Sequence, residues 1–260
     1  MGIKGKKARQ QRRQQQQLQQ QHLAETEMGA AEESSSLDLV FESSSPSPST
    51  STTTSPSSSS TSLSEIELEP EMAIPKIRNI LLCSIGNPGA LLTTRHSAGH
   101  ILLSHLSTTG TLSNSRAYGG PVGPGPSGDK YTTTLFQSTS YMNVSGPAVS
   151  KAWKSFKSSN SNPVLVILHD ELEKPVGKVK YKKDGSAGGH NGLSSIRSSL
   201  PGETLHKIGL GIGRPESREK NAVAEYVLKR MGNGDTERML DEGLPLVMRM
   251  LEDIGSGKLK

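Results

Sequence analysis

Beyond residue 75 the apolar positions fall into short runs and helical stripes separated by Gly/Pro turns. Residues 79–85 form an apolar run closed by Gly86-Asn87-Pro88-Gly89, which predicts a buried strand ending in a tight turn. From 95 to 106, Ala98, Ile101, Leu102 and Leu106 recur at helical spacing, so a strand-turn-helix unit opens the folded part. The Gly/Pro-rich stretch 119–128 is expected to run as a surface loop into a strand at 131–137. A helix over 144–156 sets Val149, Trp153 and Phe156 on one face. Pro163 precedes the continuous apolar run 164–168, the mark of a central strand covered on both faces. Residues 178–182 alternate as an edge strand, and 188–200 read as a helix entered through Gly188-Gly189. A strand at 207–212 and an amphipathic helix over 236–254 complete the pattern. Strands alternating with helices predict a single-domain α/β fold, a three-layer α/β/α sandwich around a mixed, mostly parallel twisted sheet.

Composition restricts that fold to part of the chain. Residues 1–22 hold six Lys or Arg, no acid and a Gln run; residues 23–75 hold ten Asp or Glu and no Lys or Arg around a Ser/Thr/Pro-rich stretch. Neither piece has the apolar surface to offset the entropy of ordering a chain. The expected organisation is a disordered, low-complexity extension over 1–75 and one domain over 76–260. Removing the extension's charges leaves 24 of the 30 basic and 15 of the 25 acidic residues, a net +9 that suits a polyanionic ligand as well as an ordinary solvated surface.

The single Cys83, set among apolar neighbours, is expected as a small buried strand residue in a reducing compartment. No apolar run approaches the roughly 18 residues of a membrane span, and the front lacks the apolar core of a secretory signal. An acid-free basic leader fits a mitochondrial transit peptide, but its Gln run makes a poor amphipathic helix, so cytoplasm and mitochondrion both stay open. Met1-Gly2 has Lys6 where a myristoylation start wants Ser or Thr.

Four polar clusters lie at element ends rather than on apolar stripes: Gly86-Asn87-Pro88-Gly89 with Arg95-His96, Tyr141-Met142-Asn143, His169-Asp170-Glu171, and Gly188-Gly189-His190-Asn191. Groups placed after the strands of an open α/β sheet converge on one cleft. A histidine suits proton abstraction near neutral pH, and an amide offers both a donor and an acceptor. Gly188-Gly189 at a helix entry is expected to present free backbone N–H groups. His96 and His100 stand at i and i+4, but the Glu of a zinc H-E-x-x-H helix and a nearby third ligand are missing. No Gly-x-Ser-x-Gly elbow marks a serine nucleophile.

These motifs, with Arg95-His96-Ser97-Ala98-Gly99 and Gly211-Ile212-Gly213-Arg214-Pro215, stand in an order and spacing that resembles the bacterial-type peptidyl-tRNA hydrolase family, in a eukaryotic, fungal-like member with an N-terminal extension. The resemblance covers about residues 78–254. It implies a cofactor-free and metal-free esterase that acts as a monomer, away from membranes, and recycles tRNA from prematurely released peptidyl-tRNA. By matching position, His96 is the general base and Asp170 the acid that orients it. Asn87, Asn143 and Asn191 bind the peptide main chain with Met142 and His190, and Lys180 and Lys182 contact tRNA phosphate. Few aromatic side chains are present for base stacking, so base-specific reading is not expected. A protein of this fold that binds RNA without hydrolysing it, as in a splicing factor, is the rival class, and turnover separates the two. Four departures from the family stand out. The spacing from Asn87 to His96 is one residue short, Leu91 or Leu92 replaces a common aromatic, Ser97 stands where Asn is frequent, and Gly209 where some relatives have Arg.

Overall fold

A computed structural model describes residues 77–259. The extension expected over 1–75 lies outside the described residues. The strands are β1 (Arg78–Ser84), β2 (Ser113–Ser115), β3 (Gly120–Pro124), β4 (Tyr131–Gln137), β5 (Pro163–Glu171), β6 (Val179–Lys183) and β7 (His206–Gly211). They form one sheet in the order β2-β3-β4-β1-β5-β7-β6. β1 pairs in parallel with β4 and β5, and β5 with β7, whereas β2, β3 and β6 join through antiparallel pairs. The sheet is therefore mixed with a parallel centre, as the alternating pattern predicts.

Alternation along the central strands divides the core into two layers. Ile80 and Leu82 of β1 face one side with Leu168, Ile208 and Leu210; Leu81 and Cys83 face the other with Leu165 and Ile167. The first side is covered by α1 (Ala98–Leu106), α4 (Lys220–Leu228) and, at the chain's end, α6 (Leu244–Gly255). The second is covered by α2 (Ser145–Ser159), whose Val149, Trp153 and Phe156 are buried as expected, and by α3 (Asn191–Ser199). Each fully buried Leu, Ile or Phe in these layers contributes about 1.5–3 kcal/mol relative to exposure. Among the described residues no helix is long and apolar enough to cross a membrane.

Local signals and tertiary pairing disagree at three places. The stretch expected as a loop over 119–128 contains β3, because Val122 and Gly123 find partners in Phe136 and Leu135 of β4. Its prolines are tolerated near the sheet edge, where β2 supplies only three residues. The helix expected from Gly188 begins at Asn191, since Gly188 and Gly189 take φ of +58° and +84°, outside helical space. The single closing helix is instead α5 (Asn233–Arg238), a π-helical turn (Met239–Gly243) and α6. Pro245 at the start of α6 has no N–H to give to the preceding turn, and the wider turn takes up the break.

Candidate active site

Because β4, β1 and β5 are parallel neighbours, the segments leaving their carboxyl ends share one edge of the sheet. Asn87 follows β1, Met142 and Asn143 form a 3-10 turn after β4, and Asp170 is the penultimate residue of β5. His96 sits in the 3-10 turn Arg95–Ser97 that leads into α1, and His190 caps α3. The chain runs from β1 to β4 on one side and returns to β5 on the other, the switch point at which open α/β sheets form a crevice.

Asp170 is the hub. Its carboxylate is buried and accepts from two imidazoles: His96 Nδ1 lies 2.9 Å from each oxygen, and His190 Nε2 lies 2.9 Å from Oδ1. Burial works to raise its pKa, but the charge and hydrogen bonds of His96 and His190 outweigh it and hold the carboxyl well below the usual carboxylate range. The His190 tautomer follows from its other nitrogen. Gly192 N–H and Leu193 N–H donate to Nδ1 at 3.1 and 3.3 Å, so Nδ1 carries a lone pair and the ring proton sits on Nε2, aimed at Asp170. Once His96 gives its Nδ1–H to the same carboxylate, its Nε2 is an acceptor with no hydrogen bond among the described residues. His190, expected as a substrate contact, thus has both ring nitrogens engaged within the protein. The Gly188-Gly189 N–H groups expected at a helix entry lie ahead of that cap.

Beneath this pair His169 is buried. Its Nδ1–H donates to the Asp170 carbonyl at 2.7 Å, and its ring meets that of His190 edge-on at 5.1 Å. Burial, with His190 adding to it, pushes His169 down to about 4, so it is neutral at physiological pH. His100 turns away from His96. It is buried against Ser84 Oγ at 2.7 Å, and burial lowers it to about 4. Its ring lies on the backbone of Gly86, where a Cβ would meet His100 Cδ2, so the turn after β1 takes glycine for close approach.

The histidine pair at i and i+4 is therefore not a metal pair. His96, Asp170 and His190 do bring ligand-type atoms within 4.8 Å of one another. The chemistry of the set opposes an ion. A neutral imidazole that ligates through Nε2 carries its proton on Nδ1, and at His190 that proton would meet two backbone N–H donors.

The amides surround this centre. Asn87 is buried, its Oδ1 accepts from Met142 N–H at 2.9 Å, and its Nδ2 donates to nothing among the described residues. Asn143 and Asn191 are exposed and without side-chain partners there. Met142 is buried between Asn87 and α3 as an apolar wall. Ser97 closes the loop that follows Asn87: its hydroxyl accepts from Asn87 N–H at 3.0 Å and donates to the Leu91 carbonyl at 2.8 Å. On β6, Lys180 pairs with Glu171 at 2.8 Å, while Lys182 is exposed beside Lys207 of β7. Gly209 fills the register position next to Lys180, and a Cβ there would meet His169 Cε1 at 3.1 Å.

Two features escaped the sequence. Histidine is no usual N-cap residue, so the capping role of His190 had no signal. Arg95 stands in one of the polar clusters expected at the cleft, but nothing in the sequence marks Tyr226, Arg230 and Asp235 as the partners that hold its guanidinium.

Known proteins match this arrangement along most of the domain. The family profile described as Peptidyl-tRNA hydrolase matches residues 81–260. The peptidyl-tRNA hydrolase of Geobacter metallireducens is 34% identical over 177 residues, 67% of this chain and 85% of that protein. The probable peptidyl-tRNA hydrolase of Schizosaccharomyces pombe is 38% identical over 160 residues, 60% of this chain and 73% of its own. The crystal structure of peptidyl-tRNA hydrolase from Acinetobacter baumannii superposes with a TM-score of 0.58 at 30% identity, over 72% of this chain and 92% of that one. A profile match that runs from within β1 through the rest of the sheet and both helical layers, with relatives this similar, places the chain in the peptidyl-tRNA hydrolase family.

Proposed function

We infer that this chain hydrolyses the ester joining peptide to tRNA in peptidyl-tRNA, with His96 as general base. The observation that carries the reading is the His96 Nδ1 contact to both Asp170 oxygens at 2.9 Å, which leaves Nε2 as the proton acceptor. A water on Nε2 gives its proton to His96 as its oxygen attacks the ester carbonyl carbon. The buried Asp170 carboxylate stabilises the imidazolium that forms. The free Nδ2 of Asn87 supplies a donor for the developing oxyanion. When the tetrahedral intermediate collapses, the C–O bond to the ribose breaks and the departing oxygen takes the proton back from His96. The products are a peptide acid and a tRNA with a free hydroxyl.

Asn143 and Asn191 bind main-chain amides of the peptide against the Met142 wall, which suits an enzyme indifferent to peptide sequence. Lys182 meets a tRNA phosphate directly. Lys180 joins it once the phosphate replaces Glu171, its partner at 2.8 Å. The test is release of peptide from N-acetylated aminoacyl-tRNA in chelator. Wild type turns over, and His96→Ala falls by about 10²–10⁴-fold, the scale of a lost general base. Wild-type protein that binds the tRNA and releases nothing would sink this reading in favour of an RNA-binding protein of the same fold.

A further inference from the structure

The turn that carries His96 is held from outside, and the residue that holds it is Arg95. A three-residue 3-10 helix has poor hydrogen-bond geometry and fixes its own orientation weakly. Around this one the residues leading into it, Thr93 and Thr94, are stitched to the connection between α4 and α5. Met231 N–H donates to the Thr93 carbonyl at 2.9 Å, Thr94 bridges to Arg230, and Arg95 N–H donates to the Lys229 carbonyl at 3.0 Å. The Arg95 side chain completes the junction. Its Nη1 donates to the Arg230 carbonyl at 3.1 Å, its Nη2 meets Asp235 Oδ2 at 3.3 Å, and its guanidinium carbon lies 4.6 Å from the centre of the Tyr226 ring. Tyr226 in turn donates its hydroxyl to the Ile212 carbonyl at 2.7 Å, directly after β7. A planar fork that both stacks and hydrogen-bonds is a property of arginine and not of lysine.

We propose that Arg95 is a positioning residue for the hydrolysis: it latches the His96 turn to Tyr226 of α4 and to the α4–α5 connection, and so keeps the imidazole aligned on Asp170. The proposal rests on the role of His96 given above. The guanidinium is mostly enclosed, with 17% of its side chain exposed, and is committed to partners within the chain. Arg95 therefore acts through its neighbour and does not serve as a phosphate contact. The consequence for rate is steep because a general base displaced by about 1 Å loses on the order of 10²-fold.

The test uses the full chain and compares wild type, His96→Ala, Arg95→Lys and Asp235→Asn in peptide release, with kcat, KM, the pH profile of kcat and the salt dependence of KM recorded. Arg95→Lys should lower kcat at least tenfold with KM within twofold. Asp235→Asn removes only the carboxylate from a partly exposed site and should give the same pattern at about threefold; it decides the matter if Arg95→Lys fails to fold. Arg95→Lys with wild-type kcat, or with a raised KM whose salt slope falls by about one, overturns the proposal, the second result making Arg95 a phosphate contact. Inactive wild type, or a fully active His96→Ala, removes the underlying reading of the site instead.

Discussion

At the scale of single residues, the site depends on which nitrogen of each imidazole holds a proton, and the backbone decides it. His190 is fixed by two N–H donors on Nδ1, so its Nε2–H always points at Asp170. The carboxylate gives His96 Nδ1 two acceptor oxygens at 2.9 Å, one of them shared with His190; an amide replaces one of these oxygens with a donor. In Asp170→Asn the oxygen stays with the locked His190, and the new NH2 faces His96 Nδ1, which drives the His96 proton to Nε2 and removes the base. Fold and substrate affinity remain, so kcat should fall by about 10²–10⁴-fold with little change in KM, as for acid-to-amide changes in other His-Asp pairs. An Asp170→Asn enzyme that keeps more than a tenth of wild-type kcat would mean the tautomer of His96 is not set by this contact.

At the scale of elements, α3 and the proposed catalytic centre share one side chain. His190 Nδ1 caps the helix, while Nε2 holds Asp170. The two jobs separate in His190→Asn, because Asn is a good N-cap but too short to reach the carboxylate. Its thermal midpoint should stay close to wild type, whereas His190→Ala loses a cap contribution of about 1 kcal/mol. Both should lose roughly tenfold in kcat, measured as peptide release; full activity in His190→Asn would make the Asp170 contact idle. The same double use explains what could be read from sequence. Strands β1 and β5 announce themselves by continuous apolar runs, and the clusters at the carboxyl ends of β1, β4 and β5 by polar residues that no apolar stripe demands. β3 does not, because Gly120, Pro121, Gly123 and Pro124 carry loop chemistry and only the partner strand makes them a strand. α4 does not either, with Val227 as its one buried side chain and hence no stripe to detect. His96 and Asp170 were legible as a pair by their motifs; the Arg95 latch and the His190 cap depend on contacts from distant segments.

At the scale of the whole molecule, each layer of the core encloses one neutral histidine. His100 lies on the face covered by α1, bonded to Ser84, and His169 on the opposite face beside Asp170 and His190. Both are lowered to about 4 chiefly by burial. Buried His206, hydrogen-bonded to Tyr181, is lowered in the same direction. In the unfolded chain these rings titrate near 6.5. Between that pH and about 4 the unfolded state binds protons that the folded state refuses, so stability is full above the upper value and drains away as pH falls. A shift of this size at one site is worth at most about 3 kcal/mol. Asp170 adds nothing to that window. Its carboxyl is held below the usual range, so its contribution persists above ordinary carboxylate pKa values and is lost only in stronger acid. Urea denaturation should therefore show a large loss between pH 7 and 4.5, larger than the carboxylates explain. In His100→Gln, which cannot titrate, the protein should be weaker at pH 7 yet lose less over the same interval, by roughly 2–3 kcal/mol. If the variant and the wild type lose equal stability between pH 7 and 4.5, His100 is not the group through which acid opens the α1 face.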